Sequence, residues 1–138
     1  MINKYNGIVI IPLRKRTVTS GYVKDLIRLS YIDDIISYSN RKNFTVLYMS
    51  YSRGLVFYNT FLDSEVIIPK IGELWYKVVS EQVFRTCVLC GTSNVYLFIK
   101  HNNELDKLPK YLVNRGLKVK TPIKGFRDDI IPVLLKSL

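Results

Sequence analysis

The run Gly7-Ile8-Val9-Ile10-Ile11, closed by Pro12, has no polar side chain to offer to water. Four β-branched residues bounded by a glycine and a proline read as a strand buried in a core. The chain therefore has to supply layers that cover it. With 138 residues and 48% hydrophobic content it can build such a core, and one globular domain over residues 1–138 is expected.

Directly after the strand comes Arg14-Lys15-Arg16-Thr17-Val18-Thr19-Ser20. Ser20 is a candidate N-cap for a helix that carries Val23, Leu26, Ile27 and Tyr31 on one side and continues through Ile35, Ile36 and Tyr38 to about Asn40. A strand, a basic loop and a helix start would aim backbone N–H groups, three cations and the hydroxyls of Thr17, Thr19 and Ser20 at one anion, a phosphate above all. The loop lacks the glycine spacing and the Lys-Ser/Thr ending of a P-loop, so nucleotide hydrolysis is not indicated.

Charge points the same way. The chain has 21 Lys plus Arg against 11 Asp plus Glu, a formal +10, with a pI near 9.7. Such an excess favours a polyanionic partner through long-range attraction and counterion release. Residues 1–60 carry +6, residues 61–100 carry none and residues 101–138 carry +4. The two ends of the chain would make one basic patch if they met in space. Lys118, Lys120 and Lys124 are expected to extend the loop, with Arg41, Lys42 and Arg53 as further contacts. DNA is placed ahead of RNA as the partner.

Further along, residues 44–52 and 55–61 are rich in aromatic and β-branched residues around Gly54 and read as a hairpin. A loop at Ser52-Arg53-Gly54 would pair Tyr51 with Leu55, Met49 with Phe57 and Tyr48 with Tyr58. One face then shows Leu47, Met49, Tyr51, Leu55, Phe57 and Phe61 and is expected to meet the core, and the other shows Phe44, Val46, Tyr48, Ser50, Val56, Tyr58 and Thr60. On the second face Tyr48 and Tyr58 are candidates for stacking on bases. Val66-Ile67-Ile68 reads as a short strand, and residues 72–85 have helical spacing. Residues 83–90 and 95–100 read as a second hairpin around Gly91-Thr92-Ser93-Asn94. Pro109 and Gly116 bracket a helix, Leu117 to Thr121 reads as an edge strand with Lys118 and Lys120 on one face, and Asp128-Asp129 opens a terminal helix. The fold class that results is α+β, with an antiparallel or mixed sheet of two hairpins packed on two to four helices.

Metal chemistry finds little support. Cys87-Val88-Leu89-Cys90 has the spacing of half a zinc site, but His101 is the one further ligand candidate, so no metal is assigned and the two cysteines are read as buried in a strand. A nuclease would need carboxylates to hold magnesium or manganese near a phosphate. The candidates are Asp33, Asp34, Asp63, Glu65, Glu73, Asp128 and Asp129, with His101 as a candidate base. No lysine follows an acidic residue at a spacing of two, which removes the carboxylate-x-lysine signature of restriction-type nucleases. A metal-dependent nuclease on the same basic surface therefore ranks second to a phosphate-backbone binder without a cofactor, and a module for an acidic protein ranks third.

The longest uncharged run, residues 86–99, is 14 residues long and holds Gly91, Thr92, Ser93 and Asn94, too short and too polar for a membrane span. No signal peptide is read at the N-terminus. A soluble protein of the cytoplasm, or of a host cell's cytoplasm, is the expectation. The absence of alanine and the abundance of isoleucine, tyrosine, lysine and asparagine suit an AT-rich coding sequence of the viral kind. Exposed hairpin edges make a homodimer a further expectation.

Overall fold

The computed structural model describes residues 4–13, 21–27, 29–51, 53–62, 71–100 and 105–138. In chain order they form β1 (Gly7–Pro12), β2 (Gly21–Tyr22), α1 (Val23–Leu26), α2 (Ile32–Lys42), β3 (Phe44–Ser50), β4 (Gly54–Val56), β5 (Phe61–Leu62), α3 (Glu73–Cys90), β6 (Asn94–Leu97), α4 (Leu108–Asn114), β7 (Lys118–Lys120) and α5 (Ile131–Ser137). Five strands make one mixed sheet in the order β4-β3-β1-β6-β7. Its strands β3, β1, β6 and β7 run parallel, and β4 is antiparallel on the β3 side. Strands β2 and β5 pair separately and antiparallel.

β1 is the middle strand, and its alternate residues feed two cores. Ile8 and Ile10 join Leu47, Met49, Val95 and Leu97 under Val79, Val83 and Cys87 of α3 and Leu108 and Leu112 of α4. Val9 and Ile11 join Tyr48 and Val56 under Ile35 and Tyr38 of α2 and Ile131 and Leu135 of α5. Helices cover both faces, which is why the strand reads as an unbroken apolar run.

A mixed α and β domain with a mixed sheet is what the sequence led us to expect. Several details differ. Five helices are present among the described residues, because four-residue α1 is separate from α2, and β2 stands before α1 in place of a continuous helix. Residues 83–90 belong to α3, so the second hairpin does not form. Their valines read locally as strand, but α3 continues until Gly91 takes a left-handed φ of 68° and donates its N–H to the carbonyls of Cys87 and Val88. The first hairpin pairs Tyr48 with Val56 and Met49 with Leu55, two residues from the expected register. A shift of two keeps each side chain on its face, so Leu47, Met49 and Leu55 share one core while Phe44, Tyr48 and Val56 share the other; Phe57 and Phe61, expected on the core face, are exposed, because β4 ends at Val56 and Phe61 pairs with β2 instead. The terminal helix begins at Ile131, one turn after Asp128-Asp129. The Ser20 cap and the strand at Val66-Ile67-Ile68 lie outside the described residues.

Burial sets an alkaline limit on this fold. Burial raises the phenols of Tyr31, Tyr38 and Tyr48 above their ordinary value of 10.0, with Asp128 adding to the rise at Tyr31 and Tyr96 at Tyr38, where Arg41 opposes it. Burial, and then the neighbouring Cys90, pushes the Cys87 thiol up to about 12. An acid whose folded value is raised stays protonated in the native state while the unfolded chain ionises. Its contribution is complete below the unfolded value and is lost as pH climbs through the folded one. The urea midpoint should therefore hold level from neutral pH to about 8.5, the ordinary thiol value, and fall steadily above it. A midpoint that rises above pH 10 would contradict this assignment.

Candidate nucleic-acid interface

Because β1, β3, β6 and β7 are parallel, their carboxyl ends lie along one edge of the sheet and their amino ends along the other. The chain leaves β1 at the carboxyl edge, where Leu13 N–H donates to the Met49 carbonyl at 2.9 Å, and leaves β6 where Phe98 N–H donates to the Ile10 carbonyl at 2.9 Å. From β1 the connection runs toward β3 on one side, and from β6 toward β7 on the other. The gap between these two carboxyl ends is a topological switch point, the usual ligand position in open sheets of this kind. Arg14, Lys15, Arg16, Thr17, Thr19 and Ser20 follow Leu13 in the chain but lie outside the described residues, as do Asp63, Glu65 and His101.

The described part of the carboxyl edge is balanced in charge. Arg53 lies in the turn after β3, its N–H donating to the Ser50 hydroxyl at 3.3 Å. Lys124 pairs with Asp106 at 3.5 Å. The ammonium of Lys100, just past β6, pairs with the carboxylate of Asp128, while Arg127 pairs with Asp129 at 3.4 Å. Asp128 and Asp129 thus turn to different cations and do not converge. Asp33 and Asp34 occupy the first turn of α2, and Glu73, in the first turn of α3, pairs with Lys77 at 3.4 Å. No three of the His, Cys, Asp and Glu side chains among the described residues are close enough together to hold a metal ion.

The amino edge is different. It is built from residues 4–6, 39–43, 90–94, 114–118 and 135–137, which contain Lys4, Arg41, Lys42, Arg115, Lys118 and Lys136 and no Asp or Glu. Hydrogen bonds knit these segments together. Tyr5 N–H donates to the Cys90 carbonyl at 2.9 Å, Asn6 N–H to the Asn43 carbonyl at 2.9 Å and Lys118 N–H to the Ser93 carbonyl at 2.8 Å. The Asn94 amide donates to the Asn6 carbonyl at 3.0 Å and the Asn6 amide to the Lys42 carbonyl at 3.1 Å. Two of the cations serve the fold. Arg41 donates to the Leu135 carbonyl at 2.9 Å, with its guanidinium 6.0 Å from the Tyr38 ring, and so ties α2 to α5. Arg115 donates to the Ser80 hydroxyl at 2.9 Å and the Lys77 carbonyl at 3.2 Å. None of the ion pairs among the described residues involves Lys4, Lys42, Lys118 or Lys136.

The expected single patch is therefore divided. Arg41, Lys42 and Lys118 lie toward the amino edge, Lys120 stands two residues along β7 from Lys118, level with Tyr96 and Val9 in the middle of the sheet, and Arg53, Lys124 and the exit toward Arg14 lie on the carboxyl edge. Lys4 and Lys136 are amino-edge cations that the sequence reading did not select. Nothing local marks them, since only parallel strand order brings residues 4, 42, 118 and 136 to one end. Tyr48 is 4% exposed in the core beneath α2 and cannot stack on a base, whereas Tyr58 is 59% exposed and keeps its face open. Tyr58 borders a cleft of about 570 Å³ between α2 and β3, lined also by Lys24, Ile32, Asp33 and Ile36.

The cysteines stand one turn apart on α3, not in a strand. Cys87 is buried and Cys90 half-buried, and burial raises both thiols above their ordinary range. The thiolate is the reactive form, so a thiol reagent at pH 8 should leave Cys87 untouched in the native protein and modify it on unfolding. Mass spectrometry of the labelled peptides checks this; native labelling of Cys87 would overturn it. No protein-family model matches the chain, and neither a curated protein nor a solved structure does. The geometry and the charge are what a functional reading has to stand on.

Proposed function

We propose that this protein binds nucleic acid through the phosphate backbone. The amino edge carries the proposal: six cations and no side-chain carboxylate on segments knit into one surface. Four helix carboxyl ends at this edge offer only about half a negative charge each, so the cations exceed what complementing those ends requires. Among the described residues four of the six take part in no ion pair, and two lock the scaffold. Arg14, Lys15 and Arg16, with Thr17, Thr19 and Ser20, which follow Leu13 in the chain, are assigned to the same partner as further contacts, as is Lys120.

Fluorescence anisotropy of labelled single-stranded DNA, duplex DNA and RNA against salt tests the reading. Binding to at least one of the three with a steep, linear loss of log K against log salt is expected. No binding at low salt would overturn it and leave an acidic protein as the partner.

A nuclease is the second reading, resting on the carboxylates Asp33, Asp34, Glu73, Asp128 and Asp129, which lie toward the carboxyl edge without converging on one point. It requires strand cleavage with magnesium or manganese. Gel analysis of the same samples decides, and intact strands after incubation with either metal would remove it.

A further inference from the structure

α3 carries apolar side chains on its outward side as well as on the side that meets the protein. Tyr76, Val79, Val83 and Cys87 face the core. A helix at the surface of a domain ordinarily presents a polar face to water. On the outward side of α3, Leu74 is 74% exposed, Val78 48%, Val88 60% and Leu89 63%. At 100° per residue, Leu74, Val78, Glu81, Arg85, Val88 and Leu89 fall on one stripe about 22 Å long.

The order of polarity along this stripe is apolar, apolar, acidic, basic, apolar, apolar. Read backwards, it keeps its apolar ends and its charged middle. A copy of the same stripe laid antiparallel therefore sets Leu74 and Val78 over Val88 and Leu89, twice over, and brings Glu81 within reach of the second copy's Arg85. The charge of the face supports the same occupant. Glu73 pairs with Lys77 at 3.4 Å and Glu81 with Arg85 at 3.1 Å, so the outer side of α3 is neutral on a chain of formal charge +10. Two strongly basic copies repel one another least where they carry no net charge. Neutrality also gives a polyanion or an acidic protein nothing to hold. Beside the stripe, a groove of about 280 Å³ lined by Leu47, Leu55, Phe57 and Gln82 continues the apolar surface, with Phe57 62% exposed.

From this we infer that a second copy of the chain packs on the outer face of α3, antiparallel about a two-fold axis near Gln82. A helix face about 22 Å by 10 Å, widened by the groove, is small beside the ~800 Å² per partner of a standard interface. The expected association is correspondingly weak, with a dissociation constant of tens of micromolar or above.

Sedimentation equilibrium of the full chain without nucleic acid tests the inference, with far-UV circular dichroism to confirm that each variant is folded. A monomer–dimer equilibrium of that strength is expected. Leu74→Lys alone and Leu89→Glu alone should each weaken it at least about tenfold, because a charge enters an apolar contact. An equimolar mixture of the two should re-associate, since antiparallel pairing sets the new lysine against the new glutamate. A monomer at 200 µM would overturn the inference. So would a dimer insensitive to both substitutions, or variants that fail to associate on mixing.

Discussion

Changing Lys42, Lys118 and Lys136 together to glutamate should reduce nucleic-acid affinity by about two to three powers of ten at 0.1 M salt. Each phosphate contact contributes roughly 0.9 to the slope of log K against log salt on duplex DNA, so the slope should flatten by close to 3. All three lysines are exposed, and none is held by a carboxylate among the described residues. Folding should suffer little, about 0.3 to 1 kcal/mol each for placing glutamate at the carboxyl ends of α2 and α5. The parallel experiment changes Arg14, Lys15 and Arg16 to glutamate. If the amino-edge triple leaves both affinity and slope untouched while the loop triple abolishes them, the interface belongs to the carboxyl edge. If neither triple matters, the excess charge serves something other than a polyanion. Because the contacts are to phosphate, the loss should be the same for every sequence tested, and a sequence-dependent loss would point to readout of base edges.

Some of this architecture is written in short stretches of the chain. β1 is legible because Ile8, Val9, Ile10 and Ile11 leave no face for water. The two faces of β3 are legible because alternation survives an error in register: Leu47 and Met49 go one way, Val46 and Tyr48 the other, wherever the turn falls. Gly116 after α4 and the Lys118–Lys120 edge strand follow from local chemistry too. α3 was harder to read, since Val78, Val79, Val83 and Val88 favour a strand taken a few residues at a time. Gly91, which fits a hairpin turn equally well, in fact caps a helix. Tyr48 looked accessible because a two-stranded hairpin has a wet face, and parallel packing of β3 against β1 beneath α2 takes that face away. Strand order is the property that no local pattern encodes. It places Lys4, Lys42, Lys118 and Lys136 together although 132 positions separate the first from the last.

The division of the basic residues between two edges has a consequence for the dimer. A six-residue strand spans about 20 Å, so within one copy the amino-edge lysines and the Leu13 exit are that far apart. α3 runs from the carboxyl edge at Glu73 to the amino edge at Cys90. Antiparallel pairing on its outer face brings the amino edge of one copy to the same side as the Leu13 exit of the other. On the phosphate-binding reading, two such composite surfaces related by a two-fold axis would each combine both sets of cations. Binding should then become tighter as the chain dimerises, by the local concentration of the second set, and Leu89→Glu should weaken it without altering any cation.

Replacing Gly7 with alanine should destabilise the fold by about 2 kcal/mol, and with valine by more, within the ~1 to 3 kcal/mol typical of overpacking and toward its upper end. Removing a glycine from a strand normally helps, because the unfolded chain loses freedom, by about 0.5 to 1 kcal/mol. Here sterics outweigh that gain. Gly7 lies on the central strand between Phe44 of β3 and Tyr96 of β6, whose rings stack across it with centroids 4.4 Å apart. A Cβ at this position would stand 2.8 Å from Tyr96 Cε2 and 3.0 Å from Phe44 Cδ1, closer than van der Waals contact allows. Phe44 has little room to yield, being 8% exposed and edge-on to the Tyr38 ring at 5.7 Å. Urea unfolding of the alanine variant measures the cost. The same substitution in a Phe44→Leu background isolates the ring, because a shortened side chain relieves the contact and the two changes should couple by at least about 0.5 kcal/mol. A neutral or stabilising Gly7→Ala in the native background would mean that Tyr96 moves aside freely, and that the aromatic pair is not what holds this end of the sheet together.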